Sequence, residues 1–167
     1  MLTLQKVKNP LFGEKIYKTI SNEQSLSTIP IAKLKKSINT GNIFTIKNNA
    51  QSIGFVEIFQ FNPSWLGIFS FYIKKQYRHK HFGTKVMKTI LKYFRFYNIY
   101  LATVSPYMKK ICINLGFKIT DIKSLPPIVI SKLIYKRINT KTKVFKLLRM
   151  KKTRFIIIFI KFKFTNF

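Results

Sequence analysis

The segment from Arg78 to Thr84 has the residue types and the position of an anion-binding loop. It lies between a predicted strand and a predicted helix, where the first backbone N–H groups of the helix have no acceptor within the helix and the helix dipole favours negative charge. Arg78 and Lys80 add positive charge, Gly83 permits close backbone approach, and Thr84 offers both an N–H and a hydroxyl. The segment therefore predicts a phosphate or pyrophosphate site, and an ordinary basic loop before a helix is the alternative.

Two segments of the sequence carry patterns that can be compared with known motifs. Residues 73–86 read Ile-Lys-Lys-Gln-Tyr-Arg-His-Lys-His-Phe-Gly-Thr-Lys-Val, and residues 112–118 read Cys-Ile-Asn-Leu-Gly-Phe-Lys. The first resembles Val-x-Pro-x-Tyr-Arg-Gly-x-Gly-Ile-Gly-x-x-Leu and the second resembles Tyr-x-x-x-Gly-Phe-Lys, two motifs of the GNAT family of N-acetyltransferases. The resemblance extends from about residue 15 to about residue 137. It implies a mixed α/β fold in which helices flank a central, mostly antiparallel, twisted sheet.

The resemblance also implies a reaction, a cosubstrate and the residues that would bind it. Acetyl-CoA would donate its acetyl group directly to a primary amine, without a covalent enzyme intermediate. This step needs an oxyanion donor, which maps to the backbone amides from Phe71 to Ile73. The residues that would contact acetyl-CoA are Phe71, Ile73, Arg78, His79, Lys80, His81, Phe82, Gly83, Thr84 and Ser105.

Two histidines depart from the GNAT pattern. His79 and His81 stand where the family usually has glycines that let the backbone wrap around the pyrophosphate. A histidine is tolerated at such a position if its backbone stays in the right-handed region, whereas a positive φ would cost about 1 kcal/mol. The backbone conformation of these two residues therefore bears directly on how well the loop binds acetyl-CoA.

Acetyl transfer needs a base for the attacking ammonium and an acid for the departing thiolate. Glu57 is the only acidic residue inside the predicted meander of strands, so it is the candidate base, directly or through water; the alternative is that it merely reaches solvent. Cys112 takes the position at which the family often has its tyrosine acid, and packing in the core is the alternative. Ser105 takes the position of a family asparagine near the cofactor, and its simpler role is the N-cap of a helix.

Apolar periodicity predicts the elements that position these residues. Residues 1–13 show no sustained period and are expected to be irregular or strand-like, and two short helical patterns lie between Ser21 and Asn39. An antiparallel meander of three strands comes next, an amphipathic helix follows Gly83, and another helix runs from Ser105 to Gly116. The predicted strands are Ile43–Ile46, Ser52–Phe61, Leu66–Ile73, Ile99–Thr103, Phe117–Ile122 and Ile128–Tyr135.

The charge of the chain bears on its partners. Its 167 residues include 32 Lys and Arg against four Asp and Glu, for a formal charge of +28. Such an excess favours polyanionic partners such as tRNA or the ribosome. The chain is also rich in Ile, Asn, Phe, Tyr and Lys, which AT-rich codons encode, so genome bias is the alternative source of the charge.

Composition excludes several classes of protein. A single cysteine rules out an intrachain disulfide and a cysteine-rich zinc site, and the two histidines alone do not make a metal site. No run approaches the roughly 20 apolar residues of a membrane-spanning helix, and no signal-peptide pattern opens the sequence. A cytoplasmic protein with one domain and a tail is therefore expected.

The chain is predicted to divide into a GNAT-like domain, residues 1–137, and a basic, apolar C-terminal extension, residues 138–167. The extension has no acidic residue and interleaves Lys and Arg with Ile and Phe. This pattern suits RNA binding or attachment to an anionic membrane surface, and an edge strand or a segment without function is the alternative. A GNAT-fold module that has lost efficient catalysis and binds RNA or ribosomes is the second hypothesis for function.

Overall fold

The computed structural model describes residues 1–9, 11–21, 31–103, 105–131 and 157–161. Its strands are β1 (Leu2–Lys6), β2 (Ile43–Asn48), β3 (Gln51–Asn62), β4 (Trp65–Ile73), β5 (Asn98–Thr103), β6 (Lys118–Thr120) and β7 (Ile157–Lys161). Its helices are α1 (Leu11–Ser21), α2 (Ile31–Asn39), α3 (Phe82–Tyr93) and α4 (Pro106–Asn114). In this part of the chain, neighbouring strands are hydrogen-bonded in the order β1-β2-β3-β4-β5-β7-β6. The predicted mixed α/β fold with a mostly antiparallel sheet is confirmed.

The first of two compact units consists of residues 1–58 and 70–89. In it β1 and β3 each pair antiparallel with β2. Its core is a cluster of buried side chains: Val7, Ile16, Leu34, Ile38, Ile43, Phe55 and Tyr72. Leu34 and Ile38 lie one turn apart on α2, so both reach this cluster from the same helix face. Of the two helical patterns predicted over Ser21–Asn39, the second is α2, and the first lies outside the described residues.

The expected irregular or strand-like entry over residues 1–13 is correct for β1 and wrong at its end, where α1 begins at Leu11. The Leu11 N–H donates to Asn9 Oδ1 at 2.9 Å, so an asparagine side chain supplies one acceptor for the helix start. Gly13 lies where α1 packs closely against α2. A Cβ atom at this position would lie 3.1 Å from the Cδ1 atom of Ile38, so the absence of a side chain permits this packing.

The second unit consists of residues 59–69 and the described part of the chain from Ile90 onward. Over Trp65–Ile68, β4 pairs parallel with β5, and both β5 and β6 pair antiparallel with β7. The buried core of the unit is Phe61, Trp65, Tyr100, Leu125, Val129 and Ile160. β7 belongs to the predicted C-terminal extension. One alternative for that segment is an edge strand. A strand is observed, but it lies between β5 and β6 instead of at an edge of the sheet.

Residues 127–131 are helical, so the strand predicted over Ile128–Tyr135 is wrong where the structure describes it. Pro127 stands at the first helical position, where its fixed φ suits a helix and its missing N–H would have no helical acceptor in any case. The Ile130 N–H donates to the carbonyl oxygen of Pro126 at 3.1 Å. The pair of prolines therefore starts a helical turn. The remainder of the predicted strand lies outside the described residues.

Candidate functional site

β3 and β4 approach each other closely at the carboxyl end of β4. Lys74, the residue after β4, donates its backbone N–H to the Ile53 carbonyl oxygen at 2.9 Å and its ammonium to the Ser52 carbonyl oxygen at 2.6 Å. Gly54 makes this approach possible, because a Cβ atom there would lie 2.1 Å from the carbonyl oxygen of Tyr72. The end of β4 is therefore held in place from the β3 side.

The direction of the backbone at this point bears on the predicted oxyanion donors. Successive residues of a strand point their N–H groups to opposite sides, and the Lys74 N–H points toward β3. The N–H groups of Phe71 and Ile73 therefore point away from β3. The Ile73 carbonyl oxygen lies on the same side of the strand as the Ile73 N–H. It accepts a hydrogen bond from Arg78 Nε at 2.8 Å, and this contact agrees with the orientation of the N–H away from β3.

Arg78 ties the start of the loop to the end of β4. In addition to its bond to Ile73, its guanidinium carbon lies 5.4 Å from the centre of the Tyr72 ring. Its backbone N–H donates to the Lys75 carbonyl oxygen at 3.0 Å and closes a short 3₁₀ turn. The Tyr72 ring stacks in turn on Phe55, with 5.5 Å between ring centres. Arg78 thus positions the loop through its side chain in addition to supplying charge.

His79 and His81 have positive backbone φ angles of 60° and 59°. They stand at two of the three positions at which the GNAT pattern has glycine, and Gly83 fills the third, so the loop adopts at both histidines the left-handed conformation that glycine allows. Asn49 is the only other non-glycine residue with this feature in the described part of the chain. Both histidine side chains are exposed. Each left-handed histidine costs about 1–2 kcal/mol, so the condition under which histidine is tolerated here without strain, a right-handed backbone, is not met.

The first turn of α3 adds backbone donors to the loop. The Lys85 N–H donates to the His81 carbonyl oxygen at 3.1 Å, and this bond begins the helical ladder. The N–H groups of the three residues before it, 82–84, have no acceptor within the helix. Left-handed residues followed by a helix start turn successive N–H groups toward one point, and the helix dipole adds positive potential there. The loop and the helix start together have the backbone geometry of an anion site.

Aromatic packing links the two ends of the loop. The rings of Tyr77 and Phe82 meet edge to face with 5.8 Å between their centres. The Lys85 ammonium lies 5.8 Å from the centre of the Phe82 ring. Edge-to-face and cation–π contacts of this kind each contribute about 0.5–1.5 kcal/mol. The side chains at the ends of the loop therefore help to hold the intervening backbone in shape.

Glu57 of β3 is buried, with 5% of its surface exposed, and it bridges α2 and β4. Its Oε1 atom accepts from the Ser37 hydroxyl at 2.8 Å, and its Oε2 atom accepts from the Ser70 hydroxyl at 3.1 Å. The alternative in which Glu57 merely reaches solvent is therefore wrong. Sequence reasoning missed both serines. A signal exists for Ser37, which lies on the apolar face of α2 with Leu34 and Ile38, where a hydroxyl needs a buried partner.

Ser105 and Cys112 belong to the second unit. The Ser105 hydroxyl accepts from the Met108 N–H at 3.4 Å and caps α4, as its simpler role predicts. Cys112 lies on α4 and is fully buried, and this burial raises the pKa of its thiol to about 12. A thiol with so high a pKa is a weaker acid than an ordinary thiol, which favours the core-packing alternative. The cofactor role of Ser105 and the catalytic role of Cys112 stay predictions.

Other features of the described residues lie apart from the loop backbone. A cavity of about 500 Å³ beside α3 is lined by Met1, Leu2, Asn48, Phe82, Lys85, Lys88 and Thr89. Phe82 is the one predicted cofactor residue that it includes.

The described part of the chain contains no cluster of three or more His, Cys, Asp or Glu that suits a metal ion. None of its helices has the length and apolar character needed to cross a membrane.

Comparison with known proteins assigns this loop and its surroundings to a family. The model of the acetyltransferase (GNAT) family matches residues 14–111, which is more than half of the chain and includes the whole loop. The chain belongs to the GNAT acetyltransferase family. The resemblance inferred from the two sequence motifs is thus confirmed, and membership of the GNAT family supports acyl transfer as the general activity. No curated protein matches this sequence.

Several solved GNAT structures have a similar fold. N-acetylglutamate synthase from Neisseria gonorrhoeae, complexed with coenzyme A and N-acetyl-glutamate, has a TM-score of 0.67 at 10% identity, over 98% of this chain and 35% of that chain. Arabidopsis thaliana NAA60, in complex with a bisubstrate analogue, has a TM-score of 0.62 at 12% identity, over 97% and 98% of the two chains. Spermidine N-acetyltransferase SpeG from Vibrio cholerae has a TM-score of 0.56 at 17% identity, over 72% and 81%. This chain therefore spans little more than a third of the Neisseria enzyme, and likeness at such identities concerns the fold alone.

Proposed function

We propose that this protein transfers an acetyl group from acetyl-CoA directly to a primary amine. The observation that carries the proposal is the backbone of residues 79–84, where two left-handed residues are followed by the N–H groups of a helix start. The pyrophosphate oxygens would accept hydrogen bonds from these N–H groups. Arg78 and Lys80 add positive charge, and no acidic residue occurs in the sequence from 58 to 120 to oppose it. These residues fit a pyrophosphate group.

When bound, acetyl-CoA supplies a thioester carbonyl that an amine can attack. The N–H groups of Phe71 and Ile73 point away from β3, and we propose that they donate to the oxyanion that develops in this attack. Their contribution depends on the position of the β4 backbone, which Gly54 and Lys74 hold against β3. The side chains of Phe71 and Ile73 have no direct part in this step.

For the proton transfer we propose Glu57 as the general base, with Ser70 as its relay. Ser70 is half-buried whereas Glu57 is buried, so the hydroxyl is the more accessible member of the pair. The Ser70 oxygen would take a proton from the substrate ammonium while its own proton passes to Glu57 Oε2, 3.1 Å away. One proton arrives as another leaves, so no charge accumulates on the serine. Ser37 holds the other carboxylate oxygen.

Ser70→Ala and Ser37→Ala form a matched pair that tests this relay. Each removes one hydroxyl donor from the same buried carboxylate, so each is expected to lower the free energy of unfolding by about 1–3 kcal/mol. Ser70→Ala alone is expected to lower kcat, by about 10²–10⁴-fold, since it alone interrupts the relay. The measurement is the initial rate of CoA thiol release at saturating substrates. Equal losses of kcat in the two variants would make Glu57 a structural bridge instead of a base.

For Cys112 we propose the acid role that its position in the family motif implies, and core packing is the competing role. Burial raises the pKa of the thiol to about 12, so the thiol is protonated at neutral pH but releases its proton less readily than an ordinary thiol, which favours core packing. A Cys112→Ala variant that is folded and keeps full turnover excludes the acid role. A folded variant whose kcat falls at unchanged KM supports it.

Titration calorimetry with acetyl-CoA tests the cosubstrate site. The parent protein is expected to bind, and the double variant Arg78→Ala, Gly83→Glu is expected to lose at least about tenfold in affinity, because it frees the loop from β4 and puts a carboxylate among the anion donors. Arg95→Ala is the control, since it removes an exposed arginine outside the loop. Absence of binding at millimolar ligand would overturn the enzyme proposal. Unchanged affinity in the double variant would show that the loop is not the site.

The acceptor is proposed to be an amine carried by an anionic molecule. The formal charge of +28 attracts anions and repels polycations. Turnover of three acceptors tests this: L-glutamate and aminoacyl-tRNA carry anionic groups, and spermidine is a polycation. Spermidine is expected to be the poorest of them, judged by kcat/KM for CoA release at low ionic strength. Efficient turnover of spermidine alone would contradict the charge argument.

A second candidate function is a GNAT-fold module that binds RNA or ribosomes without efficient catalysis. The observation that favours it is the state of the two proposed proton-transfer groups: Glu57 is buried between two serine hydroxyls, and Cys112 is enclosed in the core. This alternative predicts no CoA release above the uncatalysed rate with any of the three acceptors. Measurable turnover that Ser70→Ala abolishes would exclude it.

A further inference from the structure

We propose that single-stranded nucleic acid docks on a surface formed by Lys92, Tyr93, Arg95 and Phe96, which we name the stacking surface. These residues end α3 and begin the turn after it. All four side chains are exposed, and Tyr93 and Phe96 expose 62% and 70% of their surface. Large aromatic side chains grouped on a protein surface mark interaction sites more often than isolated ones do. The proposal does not depend on acetyl transfer.

Contacts within the protein hold part of this surface in place. The Arg95 guanidinium lies over the Phe96 ring, 4.7 Å from its centre. The Tyr93 ring meets the half-buried Phe94 ring at 4.8 Å between centres, and Phe94 packs edge to face on Tyr97 at 6.2 Å. Tyr93 therefore packs against a half-buried ring, and Phe96 is paired with a cation.

The order of groups on the stacking surface matches the chemistry of a single strand. In the sequence, Lys92 precedes Tyr93 and Arg95 precedes Phe96, so cationic and aromatic residues alternate along the surface. Single-stranded nucleic acids alternate phosphates with bases, and proteins bind them by neutralising the phosphates and stacking the bases on aromatic rings and guanidinium planes. Since every base has a face that can stack, little sequence preference is expected.

The charge of the surrounding chain favours a polyanion at this surface. The sequence has no acidic residue from 58 to 120. Of the carboxylates that the structure describes, Glu57 is buried and Glu14 is paired with Lys35 at 3.0 Å. Asp121 is the remaining described carboxylate, and it is exposed. A chain with so few carboxylates to oppose its cations attracts nucleic acid strongly at low salt.

An anionic membrane is the competing partner, and it fits this surface less well. A helix that lies in a membrane surface inserts an apolar face. The apolar residues Val86, Met87 and Ile90 of α3 are fully buried in the protein, so they are not available for insertion. The Phe96 ring is paired with the Arg95 guanidinium, which makes it a better stacking partner than an apolar anchor.

Fluorescence anisotropy of a labelled oligouridylate tests the aromatic half of the surface. Tyr93→Ala and Phe96→Ala are each expected to weaken binding roughly 5- to 150-fold, from about 1–3 kcal/mol per stacked base. Tyr107→Ala is the matched control, because it removes an aromatic side chain that is 72% exposed and lies outside the stacking surface. All three side chains are exposed, so the free energy of unfolding is expected to change little. An equal loss in the Tyr107 variant would overturn the location of the site.

The dependence of affinity on salt tests the cationic half. Lys92→Gln combined with Arg95→Gln is expected to reduce the slope of log K against log salt by about 1.4, at about 0.7 for each phosphate contact with a single strand. Lys110→Gln, an exposed cation elsewhere in the second unit, is the control and should leave the slope unchanged. No binding of oligouridylate at low salt would overturn the proposal. The proposal would also be overturned if Phe96→Ala lost affinity for phosphatidylserine vesicles and kept its affinity for oligouridylate.

Discussion

Replacing His79 and His81 with glycine is expected to stabilise the protein, although glycine usually does the opposite. Both residues have φ near +60°, a conformation that costs an L-residue about 1–2 kcal/mol and costs glycine almost nothing. Glycine also gives the unfolded chain more freedom, which offsets about 0.4–1 kcal/mol of that gain. The net expectation is an increase of about 0.5–1 kcal/mol in the free energy of unfolding for each substitution. For a chain of this length, the double variant should raise Tm by about 2–8 °C.

Lys80→Gly is the control for this experiment. Lys80 lies between the two histidines, is exposed like them, and does not have a positive φ. Glycine at this position has no strain to relieve, so it is expected to lower the free energy of unfolding by about 0.5–1 kcal/mol. Urea unfolding followed by circular dichroism gives the free energies. The sign of the change should therefore alternate along three consecutive residues.

The same variants test the role of the loop backbone in binding. If the N–H groups hold the pyrophosphate, the two glycine substitutions keep the donors in place, and calorimetry with acetyl-CoA should show affinity equal to or above that of the parent protein. Destabilisation of all three glycine variants by a similar amount would refute the left-handed conformation of the histidines. A loss of affinity in the His79 and His81 variants at raised stability would assign phosphate binding to the imidazole rings instead of the backbone.

Three further outcomes are expected. Gly54→Ala should lower the free energy of unfolding by about 1–3 kcal/mol or more in urea, because a Cβ atom 2.1 Å from the Tyr72 carbonyl oxygen forces β3 and β4 apart; a neutral result would contradict the close approach. Arg78→Lys should reduce acetyl-CoA affinity in calorimetry although the charge is kept, because lysine has no Nε–H to donate to the Ile73 carbonyl oxygen. Full affinity in this variant would mean that Arg78 contributes to binding only through its charge. Burial raises the pKa of Cys112 from 9.0 to about 12 in the folded protein. As pH rises from 9 toward 12, the parent protein should therefore lose free energy of unfolding relative to Cys112→Ala, by up to about 1.4 kcal/mol per pH unit. If the free energies of unfolding of the two proteins changed in parallel with pH, the burial of Cys112 would be contradicted.

Local sequence signals predicted the part of the fold in which a strand meets a helix. The apolar run of β4, the basic loop and the amphipathic period of α3 are each encoded within a few neighbouring residues, so periodicity and capping rules suffice. Ser105 and Gly116 were identified in the same way, and the structure has the first as an N-cap and the second with φ of 75°. Residues 127–131 show the limit of the approach, because Pro-Pro followed by apolar residues is compatible with either a strand or a helical turn.

The candidate site was less predictable, because its geometry depends on residues distant in sequence. Glu57 was identified as the lone carboxylate of the meander, but its two hydroxyl partners come from α2 and β4 and cannot be found without the fold. The left-handed angles of His79 and His81 contradict the usual preference of histidine, so only the family pattern pointed to them. The side chain of Arg78 shows the same limit, since its bond to the Ile73 carbonyl oxygen exists only because the loop folds back on the strand.

The position of β7 has a consequence for the order in which the protein can fold. Leu101 of β5 is paired with Phe159 of β7, and β6 is paired with the same strand. Contacts between residues so far apart in sequence require closure of a long loop, which slows folding. During synthesis, β5 and β6 leave the ribosome well before the strand that joins them, whereas residues 1–89 are already available to form the first unit. The unit that carries the proposed anion site is therefore expected to fold first, and hydrogen exchange pulse-labelling during refolding should protect its amides before those of β5.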